Sequence, residues 1–266
     1  MPKVDKYRHG TPCWVDLATV DVAGARAFYA GLFGWEYVDE EMGEMDIGVY
    51  SMAMLDGSAA AAIYESGPGQ IQSDAPAKWN LYVSVDDVDA VVVWVAANGG
   101  AVLAGSKAVD RAGRVAVIAD PTGCVTTLWE PGEFVGCGVM SEAGAFSWCE
   151  HLSTDRAASV RFFEQVFGIE TATAGEEQPV QYSTVLAGGK GVCGIMQMPD
   201  RMIEEGVASE WYVYFQVADF DESAGYVMGH GGRLMAEPGE FPGFGRMVVA
   251  RDPQGADFCI VQPETG

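Results

Sequence analysis

Basic residues are scarce in this chain of 266 residues. Lysine and arginine together number 15, against 38 aspartate and glutamate residues, which gives a formal net charge of −23. A surface of this sign repels phosphate backbones and anionic lipids, so we expect neither nucleic acid nor a membrane as a partner. The ordinary explanation is an acidic surface that keeps the protein soluble; the alternative is a charge selected for a cationic ligand.

Long uncharged apolar segments are also missing. A membrane-spanning helix needs about 20 consecutive, mostly apolar residues, and the N-terminal segment lacks the apolar core of a signal peptide. We therefore expect a cytoplasmic protein. Hydrophobic residues make up 49% of the chain, which is enough to bury two ordinary domain cores.

Motifs for zinc binding and for nucleophilic catalysis are missing as well. The six cysteines form no C-x-x-C pair, and none of the three histidines has a partner at zinc-site spacing. We interpret the cysteines as reduced core thiols. His9 and His230 fall in a terminal segment and at a helix end, whereas His151 falls within a predicted strand, where we expect a satisfied core histidine.

The chain contains an internal sequence repeat. Aromatic, acidic and glycine residues recur at a constant spacing of 132, the pairs being Trp79 and Trp211, Tyr82 and Tyr214, Asp120 and Asp252, and Gly123 and Gly255. Nearer the start of each copy, Trp14 matches Trp148 at a spacing of 134. Self-similarity over this distance indicates duplicated domains, which we place at residues 10–132 and 145–264.

In each copy the sequence predicts a strand, a helix and further strands, followed by a second set in the same order. In the first copy, Asp21 is positioned to cap a helix from Val22 to Phe33, and Gly34 to end it. The other elements predicted there are the strands Trp14–Thr19, Asp46–Met54, Ala59–Tyr64, Trp79–Val85, Arg114–Ala119 and Val125–Trp129, the helix Val88–Asn98 and the linkers Ser66–Pro76 and Glu133–Gly144. The second copy repeats this order, so we predict an α+β fold of four βαβββ-like units.

The first helix carries Phe28-Tyr29 and ends in Leu32-Phe33-Gly34-Trp35. An aspartate-capped helix of this kind after a strand, with a later Asp-Pro-x-Gly turn, resembles the vicinal oxygen chelate superfamily, which includes glyoxalases, extradiol dioxygenases and bleomycin-resistance proteins. The resemblance implies tandem domains, each with two βαβββ units forming a half-open barrel around a small-molecule site. It extends to two-domain actinobacterial members associated with antibiotic biosynthesis or self-protection, including accessory proteins of anthracycline pathways.

The same resemblance locates the positions that hold a divalent ion in the metal-dependent members. Counting residues from the cap aspartates and from the Asp-Pro-x-Gly turns gives the equivalent positions in this chain. They are Trp14, Asn80 and Thr127 in the first copy and Trp148, Tyr212 and Cys259 in the second. A divalent site needs convergent imidazole, thiolate or carboxylate groups, and these positions offer at most one such donor per domain. We therefore expect no metal and no other cofactor.

Two carboxylates lie near the first of these positions, because Asp16 follows Trp14 by two residues and Glu150 follows Trp148. Residues two apart in a strand share a face, so each carboxylate is predicted to enter the same concavity as its indole. There it can bind a cationic or hydroxyl-bearing ligand, or act as a general base if burial raises its pKa. The alternative is a structural role, at a strand end or paired with an arginine.

Aromatic residues are the other candidates for ligand contact, because flat aromatic walls suit planar, apolar ligands. The alternative is that these tryptophans fill the cores beneath the helices. The predicted ligand-binding residues are Trp14, Asp16, Trp79, Asn80, Tyr82, Thr127, Trp129, Trp148, Glu150, Tyr212, Tyr214 and Cys259, and the predicted catalytic residues are Asp16 and Glu150.

We favour a metal-free protein that binds a hydrophobic or aromatic small molecule, such as an antibiotic or biosynthetic intermediate, with a cationic ligand as one option. Such binding would serve sequestration, drug resistance or pathway support. The alternative is an enzyme: a glyoxalase-like lyase or isomerase, a dioxygenase, or a cofactor-free enzyme with Asp16 or Glu150 as base. A third interpretation, a partner-binding module, predicts a large exposed apolar patch instead. Both a monomer and a homodimer fit the sequence.

Overall fold

The computed structural model describes residues 4–41, 48–67, 77–173 and 180–264. The helices are α1 Val22–Phe33, α2 Val88–Ala97, α3 Arg156–Phe167, α4 Asp200–Glu204 and α5 Phe220–Gly229. The strands of the first half are β1 Thr11–Thr19, β2 Glu36–Glu41, β3 Val49–Leu55, β4 Ser58–Glu65, β5 Lys78–Ser84, β6 Ala101–Val109, β7 Gly113–Ala119 and β8 Val125–Pro131. Those of the second half are β9 Phe146–Ser153, β10 Glu170–Thr173, β11 Tyr182–Ala187, β12 Lys190–Gln197, β13 Glu210–Gln216, β14 Arg233–Leu234, β15 Gly239–Phe241, β16 Gly245–Arg251 and β17 Asp257–Gln262.

Each half of the chain forms one sheet from two βαβββ units. The strand order is β2-β3-β4-β1-β5-β8-β7-β6 in the first sheet and β10-β11-β12-β9-β13-β17-β16-β14 in the second, where β15 also pairs with β16. The opening strands of the two units in a half, β1 with β5 and β9 with β13, pair antiparallel at the middle of the sheet. Neither sheet closes on itself, so the predicted fold of four βαβββ units in two half-open barrels is confirmed.

Aspartate side chains begin four of the helices. The side chain of Asp21 accepts a hydrogen bond from the backbone N–H of Gly24 at the start of α1, and Asp87, Asp155 and Asp219 cap α2, α3 and α5 in the same way. At its other end α1 stops at Gly34, whose φ of 73° is the left-handed conformation that glycine adopts without strain. The predicted bounds of this helix are confirmed.

The two halves pack against each other through their helices, α1 beside α5 and α2 beside α3. Both Asp-Pro-x-Gly turns take part in this contact. The Tyr29 hydroxyl of α1 donates to Asp252 at 3.0 Å, and the Ser159 hydroxyl of α3 donates to Asp120 at 2.6 Å. Each turn aspartate thus accepts a hydroxyl from a helix of the other half, and one buried core runs through both halves.

Several predicted elements differ from the structure. The edge strands β2 and β6 were not predicted, because nearly all of their side chains are exposed and the sequence shows no alternation there. The start of the predicted strand at Asp46 and most of the linker Ser66–Pro76 lie outside the described residues. All six cysteines are buried free thiols, as predicted. No helix in the described ranges is long and apolar enough to cross a membrane.

Candidate functional site

Strand register places the two predicted carboxylates on the helix-free faces of the sheets. Asp16 lies opposite Asn80 in the β1–β5 pair, and Glu150 lies opposite Tyr212 in the β9–β13 pair. Residues opposite one another in a sheet project to the same face. We call this face of the first sheet the first cup (Trp14, Asp16, Asn80, Tyr82, Thr127 and Trp129) and that of the second the second cup (Trp148, Glu150, Tyr212, Tyr214 and Cys259).

In the first cup, Asp16 is the centre of a closed hydrogen-bond network. The hydroxyls of Tyr82 and Tyr50 donate to one carboxylate oxygen at 2.6 and 2.8 Å, and the amide of Asn80 donates to the other at 2.9 Å. The Trp14 indole N–H donates to the Tyr50 hydroxyl at 2.8 Å. Asp16 has no exposed surface. Burial raises its pKa, while the three hydrogen bonds act in the opposite direction by favouring the ionised form.

An aromatic side chain that was not predicted helps to fill the first cup. Phe134, which follows β8, packs edge-on against Trp14 with ring centres 4.9 Å apart. Its backbone carbonyl accepts the indole N–H of Trp129 at 2.9 Å, and its backbone N–H donates to the carbonyl of Ala112 at 3.1 Å. Trp14, Trp129 and Thr127 are all buried. The first cup is therefore largely filled by its own side chains.

The second cup has the same plan but is more open. Glu150 and Trp148 are half-buried where Asp16 and Trp14 are buried. Burial raises the pKa of Glu150 to about 6, although the hydroxyls of Tyr182 and Tyr214 favour its ionised form. The Trp148 indole N–H donates to the Tyr182 hydroxyl at 3.3 Å, a longer contact than its counterpart in the first cup. A half-buried carboxylate among aromatic groups is thus available to a ligand.

Apolar side chains complete the wall of the second cup. Phe244, just before β16, packs edge-on against Tyr214 at 6.0 Å and Trp148 at 6.5 Å between ring centres. Met247 and Val249 of β16 pack against the same cluster, which includes Cys259. The Cys259 thiol is fully buried, and burial raises its pKa well above the usual value, so it is an apolar wall rather than a nucleophile.

The tyrosines that hold the two carboxylates were missed as site residues. Tyr50 of β3 and Tyr182 of β11 recur at the repeat spacing of 132, and this recurrence was the available signal. Tyr182 needs Gly194 on the neighbouring strand, because a Cβ there would lie 1.8 Å from the Tyr182 hydroxyl. A strand glycine that admits a polar group is recognised only when the structure shows which side chain approaches it.

Two tryptophans do not line the cups. Trp79 is only 2% exposed and pairs in register with Leu17 rather than Asp16, which places it on the helix-facing side, where its indole N–H donates to the Tyr29 hydroxyl at 3.0 Å. Trp211 is placed likewise and donates to Thr126 at 2.9 Å. Trp79 was predicted to line the first cup together with Asn80, but adjacent residues of a strand face opposite ways, so Asn80 lies in the cup and Trp79 lies on the other face.

The proposed structural role for the carboxylates, pairing with an arginine, is not observed. Arg114 pairs with Asp89 at 2.7 Å and Arg246 with Asp221 at 2.9 Å, so each arginine holds a residue of the helix in its own unit. Neither Asp16 nor Glu150 has an ion pair among the described residues.

His151 is a core residue on the helix-facing side of its sheet, but it is not satisfied as expected. Its ring has no exposed surface, and neither nitrogen has a hydrogen-bond partner among the described residues. Nε2 is 3.8 Å from a carboxylate oxygen of Asp120, which already accepts the Ser159 hydroxyl. Burial lowers the pKa of His151 to about 4, so the ring is neutral at physiological pH.

The side chains in the cups do not fit the divalent ion that related folds use. The carried-over positions are occupied by an indole, an amide and a hydroxyl in the first cup, and by an indole, a phenol and a buried thiol in the second. The described residues contain no group of three or more His, Cys, Asp or Glu side chains placed to hold a metal. We therefore derive no step through a metal ion.

Comparison with known proteins gives the same architecture. Residues 12–127 match the glyoxalase/bleomycin resistance protein/dioxygenase superfamily, and residues 149–261 match the glyoxalase-like domain family. The chain is 40% identical over 263 residues to "Putative glyoxylase CFP32" of Mycobacterium tuberculosis, covering 99% of this chain and 98% of the relative. It is 31% identical over 274 residues to the anthracycline biosynthesis protein DnrV of Streptomyces peucetius, covering 98% and 96%.

Among solved structures, the Mn(II)-bound glyoxalase of Novosphingobium aromaticivorans superposes with a TM-score of 0.63 at 17% identity, covering 97% of this chain and 85% of that one. At this identity the likeness establishes the fold alone. Together with the full-length relatives and the duplicated βαβββ units, it leads to one conclusion: the chain belongs to the glyoxalase/bleomycin resistance protein/dioxygenase superfamily as a two-domain member.

Proposed function

We propose that the protein binds a planar aromatic small molecule in its second cup without a metal ion. The observation that carries the proposal is the half-buried carboxylate of Glu150, held by Tyr182 and Tyr214 beside the half-buried indole of Trp148. Aromatic rings that stack on an indole gain about 0.5–1.5 kcal/mol beyond the area they bury. A hydroxyl or amine on the same ligand has a carboxylate acceptor within the cup.

The relative DnrV, named as an anthracycline biosynthesis protein, supports a polycyclic ligand, because anthracyclines carry a flat anthraquinone ring system. The role that follows is sequestration or handling of such a compound. The first cup is the weaker candidate, since Asp16 has no exposed surface and already accepts three hydrogen bonds, and Phe134 packs against Trp14.

Tryptophan emission tests which cup is occupied. We expect 1,4-dihydroxyanthraquinone to quench the emission saturably, and W148F to lose most of the quenching because Trp148 lies in the occupied cup. W14F tests the first cup, and W94F is the control for collisional quenching, since Trp94 is 57% exposed on α2. The proposal would be overturned if quenching of the wild type did not saturate, or if W14F lost the quenching while W148F kept it. Calorimetric titration measures the affinity independently of tryptophan emission.

The protonation of Glu150 makes binding of a cationic ligand depend on pH. The ionised carboxylate attracts an amine and the neutral acid does not, so affinity for 2-(aminomethyl)anthraquinone rises as pH rises through about 6 and then levels off. With this pKa, about one tenth of the sites is ionised at pH 5, so we expect affinity there to be about tenfold below its plateau. The neutral 2-(hydroxymethyl)anthraquinone is the matched control, and E150Q should abolish the step. A step that persists in E150Q contradicts this role.

A second candidate function is cofactor-free catalysis with Glu150 as general base. The observation that favours it is the pKa of about 6, which leaves the carboxylate mostly ionised, yet still basic, near neutral pH. For any compound that binds, loss of turnover in E150Q with retained affinity supports catalysis, whereas loss of affinity without any turnover in the wild type supports sequestration.

A further inference from the structure

A separate groove lies where the N-terminal segment meets the second half of the chain. Its cavity measures about 540 Å³. Lys6, Arg8 and His9 line one side, and the turn between β11 and β12, Gly188-Gly189, lines another. Apolar side chains from the end of α3 and from β11 complete it: Phe167, Ile169, Leu186 and Ala187. The groove combines basic, acidic and apolar side chains, since Asp86 and Glu170 also line it, and it contains none of the cup residues.

The Arg8 side chain contacts the hairpin turn between β11 and β12. A Cβ on Gly188 would lie 2.8 Å from an Nη atom of Arg8, which shows how closely the guanidinium approaches the turn, and the φ of Gly188 of +61° favours glycine there. Neither Arg8 nor Lys6 has a described carboxylate within ion-pair distance, although acidic residues in the chain number 38 against 15 basic ones. Both cations line the same groove, so together they can attract an anion.

The neighbouring residues fix the segment that carries these cations. Tyr7 is buried, and its hydroxyl donates to the carbonyl of Cys137 at 2.7 Å, so Lys6 and Arg8, on either side of it, are exposed. Nδ1 of His9 accepts the backbone N–H of Asp86 at 3.0 Å, which leaves the proton of the neutral ring on Nε2 as a donor. The groove thus offers an ammonium, a guanidinium and an imidazole N–H.

The repeat shows that these cations belong to this groove alone. At the spacing of 134, Lys6, Arg8 and His9 correspond to Met140, Glu142 and Ala143. The turn Gly188-Gly189 corresponds to Asp56-Gly57 at the spacing of 132. The two basic side chains of this groove therefore have no counterparts at the equivalent positions of the other half.

We propose that this groove binds a small organic carboxylate with a flat apolar body. Arg8 and Lys6 hold the carboxylate, for which the guanidinium offers paired N–H donors, and the partly exposed side chains of Ile169 and Leu186 contact the body. The acidic residues Asp86 and Glu170 also border the cavity. Their charges repel polyanions, which favours a ligand with a single negative charge. The proposal stands apart from the second cup and does not depend on what that cup binds.

The test uses 2-naphthoate and its uncharged counterpart 2-naphthamide on the full-length, ¹⁵N-labelled protein. We expect 2-naphthoate to shift the amide resonances of Gly188 and Gly189 saturably at millimolar concentrations. R8Q should weaken this binding about tenfold or more, which is the usual effect of losing a charged hydrogen bond, and 2-naphthamide should bind at least as weakly. R201Q removes the same charge from exposed Arg201 and should leave the affinity unchanged.

Three results would overturn the proposal: no saturable shift of the two glycine amides, equal affinity for the naphthoate and the naphthamide, or unchanged naphthoate affinity in R8Q. K6Q provides a second variant whose expected loss is of the same kind. The remainder of each variant's amide spectrum reports whether its fold is retained, so loss of binding is distinguishable from loss of structure.

Discussion

Replacing Asp16 with alanine is expected to lower the free energy of unfolding by about 3–5 kcal/mol, because three hydrogen-bond donors lose one buried acceptor at the same time. The substitution leaves the hydroxyls of Tyr50 and Tyr82 and the amide of Asn80 without their acceptor. A buried donor without a partner costs about 1–3 kcal/mol.

The equivalent substitution in the second cup is expected to cost only about 1–2 kcal/mol, because water can replace a half-buried carboxylate. Urea unfolding of D16A and E150A, compared at equal m-values, measures the difference. D16N, which keeps the volume and one acceptor oxygen, should fall between the wild type and D16A. Equal losses in D16A and E150A would contradict the conclusion that the first cup is structural and the second is open to ligands.

The positions of the carboxylates were predictable because alternation and repeat spacing are local properties of the sequence. Asp16 and Glu150 each follow a strand tryptophan by two residues, and both enter the cups. The helix caps were predictable for the same reason, since the interaction of Asp21 with Gly24 spans three residues. The same alternation was sufficient to predict that Trp79 and its neighbour Asn80 lie on opposite faces of the sheet.

The difference between the two cups was not predictable from the sequence. It depends on Phe134, which follows the last strand of its half and packs against Trp14, and on the Asn80 amide, which donates to Asp16 where the second cup has Tyr212 opposite Glu150. These contacts join residues distant in the chain, and no periodicity encodes them. The edge strands β2 and β6 were not predicted because their side chains are mostly exposed and show no alternation of apolar and polar residues. Pairing with the neighbouring strand of the sheet, rather than a local sequence pattern, makes these segments strands.

Replacing His151 with leucine is expected to stabilise the protein, most of all in mild acid. The folded state holds the ring neutral with a pKa of about 4, against an ordinary value of 6.5 in the unfolded chain. As pH falls through 6.5, the unfolded chain takes up a proton that the folded protein does not. The histidine therefore costs about 2 kcal/mol of stability between pH 7 and pH 5, and the loss continues until pH reaches about 4.

The duplicated half shows that leucine suits this position. Leu17 faces Trp79 in the β1–β5 pair as His151 faces Trp211 in the β9–β13 pair, and both are fully buried. Leucine also removes two ring nitrogens that have no hydrogen-bond partner among the described residues, so a gain of about 1–3 kcal/mol is expected even at neutral pH.

The measurement is the free energy of unfolding against pH for the wild type and H151L, taken as a difference at each pH. Taking the difference is necessary because Glu150 and Asp16 have raised pKa values and contribute a pH dependence of the opposite sign. The reverse exchange, L17H, places an imidazole in the matching site of the first half and should destabilise the protein increasingly below pH 6.5. Parallel curves for the wild type and H151L would show that His151 is not held neutral in the folded core.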